Sequence, residues 1–436
     1  MLEKLQAHIT QNFPFLENKK LLLATSGGLD SMVMAQLFRQ LPFEIALAHC
    51  NFQLRGIESF EDQKFVENYA EEYAIPLFST QFDTTAFAKD YKLSTQVAAR
   101  DLRYNWFYEL IEEEQFDYVL TAHHADDNIE TFLINLSRGT GLDGLVGIPA
   151  QNDKIIRPLL FLSREEIENY ASETNLQWRE DSSNASNKYL RNKIRHDLVP
   201  LFKALNPLFI TTFQKTQLYL QEAQSMVDDA AIMVYQQVAK QIDDSIHFDL
   251  LELKRLTNYR SYLYQWLKEF GFTAWEDIYD LVESQSGKQI LSADFRLIKD
   301  RDSLLLVPML ESSSDEEFYI EEGIQDVKIP LKLSISKVTD RTTSSNTTIF
   351  VDENKLVFPL VIKKWNKGDS FQPFGMNGKT KKLSKLFKDE KLSAVDKENI
   401  WVLWSAESIV WVIGLRQDER FKTENNTEDI LKLEVQ

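Results

Sequence analysis

Through the first 200 residues, short apolar runs alternate with longer amphipathic stretches. KLLLAT (20–25) precedes a stretch of helical spacing from Ser31, EIALAH (44–49) one near 58–74, PLFSTQF (76–82) one near 94–115, and YVLTAH (118–123) one from Asp126. Strand–helix alternation of this kind predicts a parallel, doubly wound sheet with helices on both faces. Ligands of such sheets bind beyond the carboxyl ends of the strands, so polar residues there are the first candidates for chemistry.

The pattern changes after residue 205. No glycine occurs from 148 to 270 and no proline from 208 to 307, so few breakers interrupt the middle of the chain. FITTFQKTQLYLQEAQSMVDDAAIMVYQQVAK (209–240) and YRSYLYQWLKEFG (259–271) carry apolar residues at three-to-four spacing, the period of an amphipathic helix. A helical middle domain is therefore expected. The acidic, serine-containing run Glu311–Glu317 reads as a linker, and KIPLKLSISKV, TTIFVD and IVWVIGL beyond it predict a small α/β or β-rich C-terminal domain. The expected boundaries are 1–205, 206–310 and 325–436, with no internal repeat.

Composition removes several classes of function. No apolar run approaches the ~18 residues of a spanning helix, and MLEKLQAHITQNF lacks the apolar block of a signal peptide. The expected compartment is cytoplasmic, with no membrane partner. Cys50 is the single cysteine, so one chain cannot build an internal disulfide, a Cys-rich zinc site or an iron–sulfur cluster. A net charge of −18 opposes diffuse attraction to nucleic acid. Against that background, residues 363–397 hold ten lysines and four acidic residues, a local basic patch.

Directly after the first predicted strand stands Ser26-Gly27-Gly28-Leu29-Asp30-Ser31, leading into a helix. Glycines let backbone amides approach a phosphate, and a helix start presents N–H groups and partial positive charge. Ser26 and Ser31 add hydroxyl donors, and Asp30 could hold a Mg2+ ion that bridges phosphates. A glycine turn with serine and aspartate capping the helix is the plainer alternative. There is no Walker lysine, which favours a nucleotide site other than a kinase-like one.

Further polar segments follow the next strands. His49-Cys50-Asn51-Phe52-Gln53-Leu54-Arg55-Gly56 comes after the second, and Thr121-Ala122-His123-His124-Ala125-Asp126-Asp127-Asn128-Ile129-Glu130-Thr131 after the fourth. Asp127 and Glu130, three apart, share a helical face and could grip an ammonium or a magnesium ion; a solvated helix start favoured by the dipole is the alternative. Histidines with carboxylates also suit zinc or iron, but adjacent His123 and His124 do not naturally converge on one ion and HExxH is absent. Between 188 and 198, helical spacing would align Leu190, Ile194 and Leu198 as an apolar seam and Lys188, Arg191 and Arg195 as a basic stripe able to meet phosphates.

SGGLDS is the signature of the PP-loop, or N-type ATP pyrophosphatase, superfamily, which cleaves ATP to AMP and pyrophosphate. Together with AHCNFQLRG, AARDLRY (98–104), TAHHADDNIET, IIRPLL followed by SREEI, DSSN before RNKIRH, and the C-terminal KKWNKGDSFQPFGMNGKTKKLSKLFKDEK and VWVIGLRQDERFK, it makes almost the whole chain resemble the tRNA(Ile)-lysidine synthetases. At Phe52 the chain departs from the many members that have a histidine, and no chemistry is assigned there. The resemblance implies an adenine nucleotide alpha hydrolase-like PP-loop domain. It also implies a ligase that adenylates C2 of the wobble cytidine of tRNA(Ile) with anticodon CAU, using ATP and Mg2+, and then joins free L-lysine to it. On that basis Ser26, Gly27, Gly28, Leu29, Asp30 and Ser31 are the ATP-binding residues, with Asp30 toward the metal. Asp127 and Glu130 are the lysine-binding and catalytic carboxylates, and Arg100 and Arg195 meet the phosphate charge of adenylation. Arg191, Lys379, Lys381, Lys382, Lys385 and Lys388 are the tRNA contacts. Another PP-loop tRNA-modifying enzyme, an amidating synthetase or a non-catalytic tRNA-binding protein remain as alternatives, and self-association into a homodimer is left open.

Overall fold

The computed structural model describes residues 1–180, 190–309, 316–339 and 345–435. The Asp181–Asn184 run, Lys188 and residues 311–315 of the expected linker lie outside the described residues. Two compact units result, Met1–Asp228 and Asp229–Gln436. Among the described residues no helix is long and apolar enough to cross a membrane.

In the first unit the strands are β1 (Lys20–Ala24), β2 (Glu44–Asn51), β3 (Leu77–Gln81), β4 (Tyr118–Leu120), β5 (Gln151–Asn152) and β6 (Ile155–Ile156). The helices are α1 (Leu2–Asn12), α2 (Leu29–Phe38), α3 (Ile57–Glu72), α4 (Thr84–Asp90), α5 (Thr95–Glu114), α6 (Ala125–Arg138), α7 (Leu142–Leu145), α8 (Arg164–Glu173), α9 (Leu190–Lys193), α10 (Val199–Leu205) and α11 (Phe209–Val238). The sheet runs β3-β2-β1-β4-β6-β5, parallel except for the β5–β6 edge. Alternate residues of one strand serve different cores, because successive side chains leave opposite faces of a sheet. Leu21 and Leu23 of β1 pack with α1, α2, α3 and α8, whereas Leu22 packs with Phe107, Leu110 and Ile111 of α5. Burial on both faces explains the unbroken apolar run KLLLA.

One sequence expectation changes here. Ile194 is buried, but Leu190 and Leu198 are exposed, so they form no seam. Ile194–Leu198 is a turn of π-helix, whose wider winding rotates positions four apart away from a common line.

The second unit takes in the end of α11 from Asp229 and continues with β7 (Ala239–Ile242), β8 (Ser245–Asp249), α12 (Leu250–Arg255), α13 (Tyr259–Leu267), α14 (Trp275–Leu281), β9 (Gln289–Leu291), β10 (Phe295–Asp300) and β11 (Ser303–Pro308). The expected helices are present, but they share a core with a five-stranded sheet, β7-β8-β11-β10-β9. FRLIKD and SLLLVP are apolar runs too short for periodicity to identify as strands, and their pairing is a tertiary fact.

The C-terminal strands are β12 (Glu317–Ile320), β13 (Asp326–Val327), β14 (Leu333–Val338), β15 (Thr348–Asp352), β16 (Leu360–Lys364), β17 (Ser370–Phe371), β18 (Lys381–Lys382), β19 (Trp401–Ser405), β20 (Ser408–Val412), β21 (Arg416–Gln417) and β22 (Ile430–Val435), with helices α15 (Leu383–Asp389) and α16 (Ala394–Asn399). They form sheets β12-β16-β19-β20-β21 and β13-β14-β22-β15 and the hairpin β17–β18.

Within the first unit, Asn128 of α6 donates to Gln217 of α11 at 2.8 Å and accepts from Ile148 N at 2.7 Å. Gly147 passes so close that a Cβ there would lie 2.3 Å from Asn128 Oδ1, at a φ of +83°. Gly147→Ala should therefore lower stability by about 1–3 kcal/mol through overpacking, read as a shift of the urea midpoint.

Candidate active site

The strand order reverses direction between β1 and β4, and a cavity of about 970 Å³ opens there at their carboxyl ends. This is the topological switch point at which open α/β sheets bind ligands, and the volume is at the upper end of the usual range for small-molecule sites.

One wall is the loop from β1 into α2. Gly27 takes a φ of +88°, a conformation glycine adopts without cost, and its carbonyl accepts from Arg179 N at 2.9 Å. The Ser31 hydroxyl donates to Gly28 O at 2.9 Å and accepts from Ser26 N at 3.1 Å. No side chain caps the first turn of α2, so its N–H groups are available to an anion. Leu29 is buried and helps anchor α2 to the core. Asp30 is engaged by Arg164, whose Nη1 lies 2.6 Å from both carboxylate oxygens.

The opposite wall is the start of α6. Asp127 serves two purposes with its two oxygens. Oδ2 accepts from His124 N at 3.0 Å, closing the helix end, while Oδ1 faces Arg191 Nη2 at 3.1 Å and Arg195 Nη2 at 3.3 Å. Glu130, 1% exposed, accepts from Arg191 Nε at 2.7 Å and Arg195 Nε at 2.5 Å. Asp126 is held by Lys203 Nζ at 2.7 Å and Arg164 N at 2.8 Å. His124 lies buried between the walls, with Nε2 3.7 Å from Asp30 and 3.5 Å from Asp127.

Burial tends to raise the Asp127 pKa, but His124, Arg191 and His123 outweigh it and hold the carboxyl below its ordinary value. Burial pushes His123 down to about 4, helped by Arg157 and Arg103 and opposed by Asp127, so its imidazole is neutral at pH 7. Burial pushes Cys50 up to about 12. For Arg195, burial works against the charge, yet Glu130, Asp127 and Asp30 keep its pKa above the ordinary value.

The structure brings Ser26, Gly28, Leu29, Asp30, Ser31, Asp127, Glu130, Arg191 and Arg195 to the first unit's chamber, whereas Gly27 shapes the turn beside Phe65 and Val66 of α3 without lining it. Arg100 is not brought there. It is exposed and stacks on Tyr104 at 4.7 Å, while half-buried Arg103, one turn along, lines the cavity. The helical period puts both arginines on the same side of α5, so spacing could not choose between them. Arg191, expected at tRNA, pairs in this structure with Asp127 and Glu130. Arg164 and Lys203 were missed. A cation in the first turn of a helix is disfavoured by the dipole, and Arg164 in SREEI was in that sense a readable signal that a carboxylate lay opposite. Phe52 lines the cavity and stacks with Phe82 at 5.9 Å. His49 is buried with Nδ1 2.9 Å from Thr25 O. No cluster of three metal-ligating side chains occurs among the described residues.

In the second unit, Lys379, Lys382, Lys385 and Lys388 are exposed. Lys381 is largely covered, with Nζ 2.8 Å from Asp389.

Residues 1–202 match the family model described as a PP-loop domain. Residues 241–309 match a TilS substrate binding domain, and 360–434 a TilS substrate C-terminal domain. The first unit thus defines an ATP-using enzyme of the PP-loop class. The chain is 37% identical over 442 residues to a tRNA(Ile)-lysidine synthase of Parabacteroides distasonis, covering 99% of each, and 36% identical to that of Bacteroides thetaiotaomicron, covering 97% of each. A crystal structure of a TILS C-terminal domain is similar over 28% of this chain and 97% of that one, at 21% identity and a TM-score of 0.25. The chain belongs to the tRNA(Ile)-lysidine synthase family, whose members modify tRNA.

Removing one preorganised donor aimed at charge that develops in a transition state costs about 10²–10³ in rate, and Arg103 lines the chamber as such a donor. Arg103→Ala should therefore depress tRNA-dependent pyrophosphate release on that scale, and Arg100→Ala should leave it close to wild type, as measured by a coupled pyrophosphate assay at saturating ATP.

Proposed function

We propose that the chain ligates L-lysine to C2 of the wobble cytidine of tRNA(Ile) with anticodon CAU, through an adenylated tRNA. The observation that carries this reading is that an uncapped glycine-rich helix start and the Asp127–Glu130 carboxylate pair face one chamber. In the first step the C2 oxygen attacks the α-phosphorus of ATP and pyrophosphate leaves. In the second the ε-amine of lysine attacks C2, and AMP departs with that oxygen.

The phosphates are received by the amides of Leu29, Asp30 and Ser31 at the start of α2 and by the Ser26 hydroxyl, while the Ser31 hydroxyl braces the turn through Gly28 O. Magnesium favours one or two carboxylates together with phosphate oxygens, and Asp30 beside this cradle has the hard oxygen donors for it, provided that Arg164, which engages both oxygens, gives way to the ion. Such an ion would neutralise charge developing on the phosphates. Arg103 lines the same chamber and can add to that neutralisation. Asp127, held acidic, and His123, held neutral, are both weak bases at pH 7, so their contribution is placement of the amine and of charge. A cytosine at an anticodon is reached unstacked, as base-modifying enzymes require.

Mass spectrometry of tRNA(Ile) after incubation with ATP, Mg2+ and lysine should show a lysine adduct on the wobble cytidine and none with other amino acids. Failure to form it with lysine, while another amino acid or sulfur donor is incorporated, would overturn the assignment. Asp127→Asn should slow lysine transfer by about 10²-fold or more while radiolabelled adenylate still accumulates on tRNA.

The lysine-rich hairpin and α15 are proposed to hold tRNA phosphates. Neutralising each phosphate contact changes the salt slope of binding by about 0.7–0.9. The Lys382/Lys385/Lys388→Ala triple variant should weaken tRNA binding and flatten its slope by about two units. Lys381→Ala should change it far less, because Asp389 already occupies that ammonium. Filter binding across a salt titration reads both.

A further inference from the structure

Resting on the assignment of Asp127 and Glu130 to lysine, we infer that Arg191 and Arg195 are exchangeable counter-ions that withhold the lysine site until a nucleotide's phosphates draw them away. Each guanidinium bridges both carboxylates. Arg191 gives Nε to Glu130 and Nη2 to Asp127, while Arg195 gives Nε to Glu130 and Nη2 to both, at 3.1 and 3.3 Å. The carboxylates are almost wholly buried, Glu130 at 1% and Asp127 at 13% side-chain exposure, whereas Arg191 and Arg195 are 42% and 33% exposed. The anions are fixed and the cations sit on the open side.

Two positive charges already balance two negative ones. An incoming lysine ammonium would place three cations on two buried anions, and its desolvation would be poorly repaid. The balance changes when a polyphosphate occupies the loop at α2. Arg195 already feels Asp30, the carboxylate of that loop, and guanidinium prefers phosphate's bidentate geometry. Transfer of either arginine to phosphate leaves a net negative pocket of the size and chemistry an ammonium needs. Nucleotide and lysine then bind with positive coupling, and coupling of binding free energies is reciprocal.

The test is calorimetric, on the full chain. L-lysine is titrated with and without Mg2+ and α,β-methylene-ATP, which cannot be cleaved between the α- and β-phosphates. Lysine should bind about tenfold more tightly with the nucleotide present, and saturating lysine should tighten the nucleotide by the same factor. Arg191→Gln should raise lysine affinity in the nucleotide-free protein and shrink the ratio toward one, whereas Arg191→Lys, which keeps the charge, should preserve much of it. A merely structural arginine would not strengthen a ligand when removed. Equal lysine affinity with and without nucleotide in the wild-type protein would overturn the inference. If in that case Asp127→Asn still abolishes lysine binding, the lysine assignment stands alone; if Asp127→Asn leaves lysine binding intact, the assignment falls and the inference with it.

Discussion

A buried carboxylate must have a cation, and the chamber of the first unit is organised by that requirement. Asp30, Asp126, Asp127 and Glu130 lie at the starts of two helices, where the dipole favours acids but the surrounding core removes water. Arg164, Lys203, Arg191 and Arg195 are the answer, each arriving from a segment distant in sequence. The segment around 191–203 is thereby tied to the sheet by charge as well as by the small apolar cluster of Ile129, Ile194, Val199 and Phe213. Because the neutralising groups are guanidinium and ammonium on long stems, the same contacts that hold the fold together are ones a phosphate or an amine can replace.

The sheet brings these residues into one place. β1 lies between β2 and β4, and the chain passes from β1 into α2 and from β4 into α6. The loops therefore diverge around a gap, and the residues following β1 and β4 become its walls. α2, α3 and α8 share a core on one face, so Arg164 at the start of α8 comes to meet Asp30 at the start of α2. Packing that has no catalytic content fixes the distance between two charged groups that do.

Much of this was legible in the sequence, for reasons that can be named. The unbroken apolar run of β1 and the glycine-rich turn after it are local patterns, and β1 to β4 fell where period and breakers put them, whereas the two-residue strands β5 and β6 are too short to leave a pattern. Asp127 and Glu130 were readable as one helical face. What spacing left open was partnership. Arg191 and Arg195 were read as a stripe able to meet phosphates, and spacing, which shows that two side chains point together and not what stands opposite, gave no sign of Asp127 and Glu130 across from them. Arg100 and Arg103 differ by a depth along α5 that no window of sequence contains. The sheet of the second unit was hidden for a related reason: β10 and β11 look like ordinary apolar runs until each is paired with the other.

The single thiol adds a consequence for how the molecule can be handled. Cys50 lines the chamber but is pushed by burial to about 12, so at neutral pH hardly any of it is thiolate, the form that reacts with alkylating reagents and oxidants. Cys50 is therefore expected to react slowly with maleimides and mild peroxide. A cysteine introduced at an exposed position of the β17–β18 hairpin would take up a fluorophore selectively in the otherwise native background, giving a reporter on the basic face with the catalytic unit chemically untouched.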